Sequence, residues 1–151
     1  MPAATAYVNA GTHKAASLPA PRKRTLVVDD SATILHAVCA LLEHHKVVEV
    51  VGRAESGPET IDHVRELRPE LVLLDADMPG MSGLRTALLL SQVYPEIEIV
   101  LMSMDTSAQF RSACAGCGAQ AMIYKPRFLK ELRAWLQTSG REARPLLRQG
   151  A

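Results

Sequence analysis

The strongest constraint on this chain is a rhythm. Short apolar runs of strand length recur at "TLVVD" (25–29), "VVEVVG" (47–52), "ELVLLD" (70–75), "IEIVLMS" (97–103) and "AMIY" (121–124). Between them lie segments whose apolar residues repeat with helical spacing. Residues 31–45 place Ile34, Val38 and Leu41 on one face, with Leu35 and Leu42 beside it. A second helix starts near Pro58, a residue suited to a first turn, and carries Ile61, Val64 and Leu67. Leu84, Ala87 and Leu88 mark a third, which stops before Pro95. Residues 106–117 form a fourth, and Phe128, Leu132, Trp135 and Leu136 define a fifth. Five strands alternating with five helices predict an α/β fold. Its sheet is parallel and covered on both faces, because each crossover helix must pack back onto it.

Such a fold occupies residues 24–138. Residues 1–23 are rich in Ala, Pro and small polar residues without a period, and read as a disordered N-terminal tail. Residues 139–151, polar and broken by Gly and Pro, read as a flexible C-terminal tail. Lys and Arg number 17 against 16 Asp and Glu, so no global charge points to nucleic acid or membrane. No apolar run reaches the ~20 residues that span a bilayer. The N-terminus lacks the apolar centre of a signal peptide, so a cytoplasmic protein is expected. Cys114 and Cys117 form a C-x-x-C with no second cluster to complete a metal site. With Phe110 and Ala113 they follow i, i+3, i+4, i+7, which predicts a buried helix face. Residues 21–24, "PRKR", read as a solvated flank to the first strand.

In open parallel sheets the site lies beyond the carboxyl ends of the strands. Strand one ends on Asp29 and Asp30, and strand three on Asp75 with Asp77 just beyond. Strand four ends on Ser103, with Asp105 just beyond, and strand five on Lys125 and Pro126. Converging carboxylates repel one another unless a cation joins them, and Mg²⁺ suits a few carboxylates with waters retained. A lysine and a hydroxyl complete what an incoming phosphoryl group requires, positioning and charge neutralisation. One carboxylate can then be the nucleophile, and Asp75 at the end of a central strand is the candidate. "MPGMSG" (78–83) supplies the sharp turn beyond that strand, with Gly80 and Gly83 permitting it and Pro79 stiffening it. Asp105 reads as a helix N-terminal residue, favoured there by the helix dipole. For Asp77, use of the backbone is expected, with a solvated side chain.

"LVVDD", "LVLLDADMPGMSGL", "VLMS" and "YKP", in this order and spacing, resemble the receiver domain of bacterial two-component response regulators. The resemblance spans residues 24 to 137. It implies a flavodoxin-like three-layer fold with strand order 2-1-3-4-5. It implies that Asp75 accepts a phosphoryl group from a phosphohistidine on a sensor histidine kinase or phosphotransfer protein. It implies that Asp30, Asp75 and the backbone carbonyl of Asp77 bind Mg²⁺, with Asp29 helping through water. It implies that Ser103 and Lys125 contact the phosphoryl group, and that the Lys125–Pro126 peptide bond is cis. The expected signal is passed to a downstream protein target, without a DNA-binding domain and without direct contact to nucleic acid.

One position departs from the family pattern. Met122 stands where a Tyr or Phe is usual, and Tyr124 lies two residues on, on the same strand face. A receiver fold used as a phosphorylation-independent adaptor is therefore an alternative. A haloacid dehalogenase-like phosphatase is another, since Asp75-x-Asp77 resembles its first motif. Pro79, however, stands where that motif wants Thr or Val, and the late acids it needs are limited to Glu131 and Glu142.

Overall fold

Among the described residues, four helices start on a serine. In the computed structural model, which describes residues 21–138, Ser31, Ser56, Ser82 and Ser107 each accept the N–H three residues ahead. Each cap satisfies one of the donors that a helix start leaves open. Glu59 adds a second bond at the helix start capped by Ser56 by accepting the Glu55 N–H at 2.9 Å. The caps punctuate the order β1 (Arg24–Val28), α1 (Ala32–His44), β2 (Glu49–Ala54), α2 (Gly57–Leu67), β3 (Leu71–Asp75), α3 (Gly83–Val93), β4 (Glu98–Ser103), α4 (Ala108–Gly116), β5 (Ala121–Tyr124) and α5 (Phe128–Thr138). A short 3-10 turn, Lys125–Arg127, joins β5 to α5. Of the two expected tails, residues 1–20 and 139–151 lie outside the described residues.

All strand pairs are parallel, in the order β2-β1-β3-β4-β5. This is the expected flavodoxin-like, three-layer arrangement. Successive strand residues face opposite sides. Leu26, Val28, Val72, Leu74, Ile99 and Leu101 pack with Val64, Ala87 and Leu90 of α2 and α3. Val27, Leu71, Leu73, Val100, Met102 and Ile123 pack with Leu35, Val38, Cys39 and Leu42 of α1 and with Leu132 and Trp135 of α5. Every residue of β3 is buried, which explains its unbroken apolar run.

The rotation of α1 differs from expectation. Leu35, Val38, Cys39 and Leu42 are buried, while Ile34 and Leu41 are 42% and 41% exposed. Both sets have helical spacing, but only the first gives a complete i, i+3, i+4, i+7 arc, with Cys39 as its small apolar member. Strand β2 starts two residues later than expected. The Val47 N–H bonds to Leu42 O, and Lys46 takes a left-handed φ of 50°, so the turn out of α1 uses those residues. The N-terminal flank is engaged rather than solvated. Lys23 pairs with Glu98 and lies over the Trp135 ring, and Arg24 donates to the carbonyls of Leu67 and Arg68. Cys39, Cys114 and Cys117 are free and buried, as a core role requires. Burial pushes the Cys114 thiol up to about 12, so it stays protonated and inert.

Gly83 fixes how closely α3 approaches the end of β3. A Cβ on it would stand 2.1 Å from Asp75 O and 2.7 Å from Ala76 Cα, both backbone atoms that cannot turn aside. Gly83→Ala should therefore lower stability by about 1–3 kcal/mol. Gly116→Ala, which meets nothing within 4 Å, should be neutral or stabilising by up to about 1 kcal/mol. Urea unfolding of both variants checks the contrast, and equal midpoints would contradict it.

Candidate functional site

The parallel sheet brings the carboxyl ends of the strands and the capped starts of the helices to one edge. At that edge Asp29 leaves β1. Its N–H donates to Ala54 O at 3.1 Å, and its Oδ1 accepts the Ser31 N–H at 2.9 Å, so it is held from β2 and from the start of α1. Asp75 ends β3, and its Oδ1 accepts the Asp77 N–H at 3.1 Å. Both carboxylates are only 1% exposed. Asp30 is exposed, and its oxygen completes a cluster with Asp29 and Asp75 in which the ligand atoms lie within 4.8 Å of one another.

Lys125 enters this cluster from β5. One strand, β4, lies between β5 and β3, a distance of two strand spacings or ~10 Å, which the long lysyl stem crosses. Its Nζ lies 3.0 Å from Asp75 Oδ1 and 3.2 Å from Asp29 Oδ2. Burial raises the Asp75 pKa, and the nearby Asp29 charge adds to this. The Asp77 N–H and Lys125 work against it. For Lys125 burial is the largest single influence and pulls downward. The hydrogen bonds and charges of Asp75 and Asp29 together overcome it and hold the ammonium above its ordinary value.

Three carboxylates facing one ammonium leave an excess of negative charge that a divalent cation would match. The donors fit such an ion. They are hard oxygens, Asp30 makes no hydrogen bond or ion pair of its own, and the protein's bonds to the Asp75 carboxylate all fall on Oδ1.

Ser103 ends β4 fully buried, but its hydroxyl is engaged elsewhere. It donates to Asp77 Oδ2 at 3.2 Å and accepts the Asp105 N–H at 2.9 Å. Asp77 is exposed, as expected, yet its carboxylate also reaches a site residue. Asp105 Oδ1 in turn accepts the Ser107 N–H at 2.8 Å, and that bond holds its carboxyl below the usual range. Asp105 thus supports the start of α4, as expected, while its backbone also holds Ser103. The D-x-D and S-x-D-x-S spacings carry the signal for the local bonds Asp75–Asp77, Ser103–Asp105 and Asp105–Ser107, since Asp and Ser side chains commonly bond backbone two residues on.

The Lys125–Pro126 bond is not cis, contrary to expectation; no peptide bond among the described residues is. Pro126 lies in the first turn of the 3-10 segment that leads into α5, where its fixed φ suits a helical start. Met122 and Tyr124 share the half-buried face of β5, as alternation requires. Met122 packs against the α2–α4 side of the core, while the Tyr124 ring lies under Arg127, 5.4 Å from its guanidinium.

Comparison with known proteins gives the family of this chain. Residues 25–137 match the response regulator receiver domain. The chain belongs to that family. It is 33% identical over 109 residues to the response regulator GacA of Pseudomonas viridiflava, covering 72% of this chain and 51% of that one. It is 36% identical over 108 residues to protein-glutamate methylesterase/protein-glutamine glutaminase 1 of Syntrophomonas wolfei, covering 70% and 30%. The chain thus spans about half, or less, of the curated relatives it matches. In fold it is similar to a LuxR-family two-component response regulator from Aurantimonas (TM-score 0.75, 23% identity, 85% of this chain and 94% of that one). The isolated receiver of RcsB from Salmonella enterica serovar Typhimurium gives a TM-score of 0.71 at 20% identity, covering 80% and 90%. No helix among the described residues is long and apolar enough to cross a membrane.

The receiver's buried charges make a prediction. Lys125→Met leaves Asp29 and Asp75 without their ammonium and raises the Asp75 pKa further. In metal-free buffer at pH 7 it should cost about 3 kcal/mol, the low end for breaking a buried pair, because the lysine is 21% exposed. A carboxyl raised in the folded state binds a proton there before its unfolded counterpart, near ~3.9, does. Stability is therefore regained as pH falls from the raised value toward the unfolded one. Urea midpoints should show the gap to wild type narrowing from pH 7 to pH 5. A gap that widens would contradict the assignment.

Proposed function

We propose that this receiver is a phosphoacceptor of a two-component or phosphorelay system, modified on Asp75. The observation that carries the reading is the Lys125 ammonium held between Asp75 and Asp29, 3.0 and 3.2 Å away, inside a three-carboxylate cluster. In the reaction an Asp75 oxygen attacks the phosphorus of a phosphohistidine on a sensor histidine kinase or phosphotransfer protein. The new O–P bond replaces the P–N bond, and the imidazole nitrogen keeps the electron pair and takes a proton. Lys125 neutralises charge on the transferring group, and the Ser103 hydroxyl, at the next strand end, donates to a phosphoryl oxygen. Asp29, Asp30, Asp75 and the backbone carbonyl of Asp77 would hold Mg²⁺. That ion supplies charge neutralisation for a phosphoryl group that the carboxylates alone would repel.

The chemistry of the receiver itself ends there. It takes one phosphoryl group and loses it by hydrolysis of the acyl phosphate, with no other substrate turned over. Its output is recognition by a downstream protein, and its place of action is the cytoplasm, where phosphohistidine donors are made. Supporting this reading, residues 25–137 match the receiver family and no membrane-crossing helix lies among the described residues.

Incubation with acetyl phosphate and Mg²⁺ should add a single phosphoryl increment in intact-mass spectrometry. Asp75→Asn should abolish it, and removal of Mg²⁺ with EDTA should suppress it by at least about a hundredfold, the scale of several kcal/mol of lost charge stabilisation. An increment that persists in Asp75→Asn would place the acceptor elsewhere.

A further inference from the structure

A hydroxyl carries one proton and donates to one acceptor at a time. The Ser103 hydroxyl already gives its proton to Asp77 Oδ2, 3.2 Å away. The function proposed above asks for that same proton at a phosphoryl oxygen on Asp75. It cannot serve both. The geometry points to Asp77 as a positioning residue that holds the Ser103 hydroxyl away from the acceptor and so opposes phosphorylation. This inference rests on Asp75 being the acceptor.

Three further features agree with it. The Ser103–Asp77 bond is longer than the usual O–H···O range, so the hold is weak enough to release. Asp77 stands two residues beyond Asp75, tied to it by its own N–H, so it sets a charge of the same sign as a phosphoryl group close to the acceptor. On the far side Ser103 is joined to α4. The Asp105 N–H donates to Ser103 Oγ, Asp105 Oδ1 accepts the Ser107 N–H, and Ser107 Oγ accepts the Phe110 N–H. A Ser103 that changes acceptor therefore pulls on the residues that start α4, and the occupancy of Asp75 is felt there.

Charge alone and a hydroxyl latch make different predictions. An asparagine at 77 removes the charge but keeps a side-chain acceptor, while an alanine removes both. Phosphorylation by acetyl phosphate at saturating Mg²⁺ is followed by intact mass for wild type, Asp77→Asn, Asp77→Ala, Ser103→Ala and the Asp77→Ala/Ser103→Ala double variant. Asp77→Ala should react about 3- to 10-fold faster than wild type, the worth of one net hydrogen bond, with Asp77→Asn between the two. In the Ser103→Ala background the Asp77→Ala effect should shrink below about twofold, because interacting residues are not additive. Equal rates for Asp77→Asn and Asp77→Ala, with an undiminished effect in Ser103→Ala, overturn the latch.

A second measurement stands even where Ser103→Ala reacts too slowly to follow. In ¹⁵N amide spectra of unphosphorylated Asp77→Ala, Asp105, Ser107 and Phe110 should be displaced toward their positions in phosphorylated wild type. Amides that stay at the unphosphorylated wild-type positions overturn the proposal. Wild type that takes up no phosphoryl group fails the Asp75 reading first. Normal uptake by wild type with no gain in Asp77→Ala fails the latch alone.

Discussion

One ammonium makes the functional edge of this protein possible. Asp29 and Asp75 are almost wholly excluded from water on adjacent strands, and Lys125 Nζ lies within 3.2 Å of both. Two buried carboxylates without a partner would cost several kcal/mol each in desolvation or take up protons. The lysine offsets part of that cost by its contacts to both, while burial still holds the Asp75 pKa above its ordinary value. The remaining negative charge is what gives the cluster its appetite for a cation.

The sheet supplies this arrangement through its topology. Parallel strands end together, so Asp29, Asp75, Ser103 and Lys125 emerge at one edge from β1, β3, β4 and β5. Helices that return antiparallel to the strands begin at the same edge, and their positive dipole ends favour negative charge there. Ser31, Ser56, Ser82 and Ser107 cap those starts. Asp29 and Asp105 each tie a strand end to the following helix by accepting the N–H of the capping serine. Local chain chemistry thus connects the site to the helices that carry its surface, and Gly83 lets α3 close against the Asp75 backbone.

Much of this was legible in the sequence. The alternation of apolar runs and amphipathic segments determined the fold class. The polar residues that end each run determined which side chains would meet, because a parallel sheet leaves them nowhere else to go. Cys114 and Cys117 were read as core from helical spacing, and both are buried. Both apolar arcs of α1 have helical spacing, and the buried one is the more complete only once Cys39 is counted as apolar. The buried arc is the one that Leu71, Leu73 and Trp135 could receive.

Tertiary structure alone decided what depends on distances across strands. The engagement of Lys23 and Arg24 needs Glu98, Trp135 and the end of α2 beside β1, and these are far away in sequence. The trans Lys125–Pro126 bond follows from the helical turn into α5, which the "YKP" motif does not specify. The hydrogen bond from Ser103 to Asp77 joins residues 26 positions apart. A sequence states which groups exist and at what spacing along one strand or helix. Which of two acceptors a buried hydroxyl faces is a matter of a few ångströms between neighbouring strand ends, and only packing sets that distance.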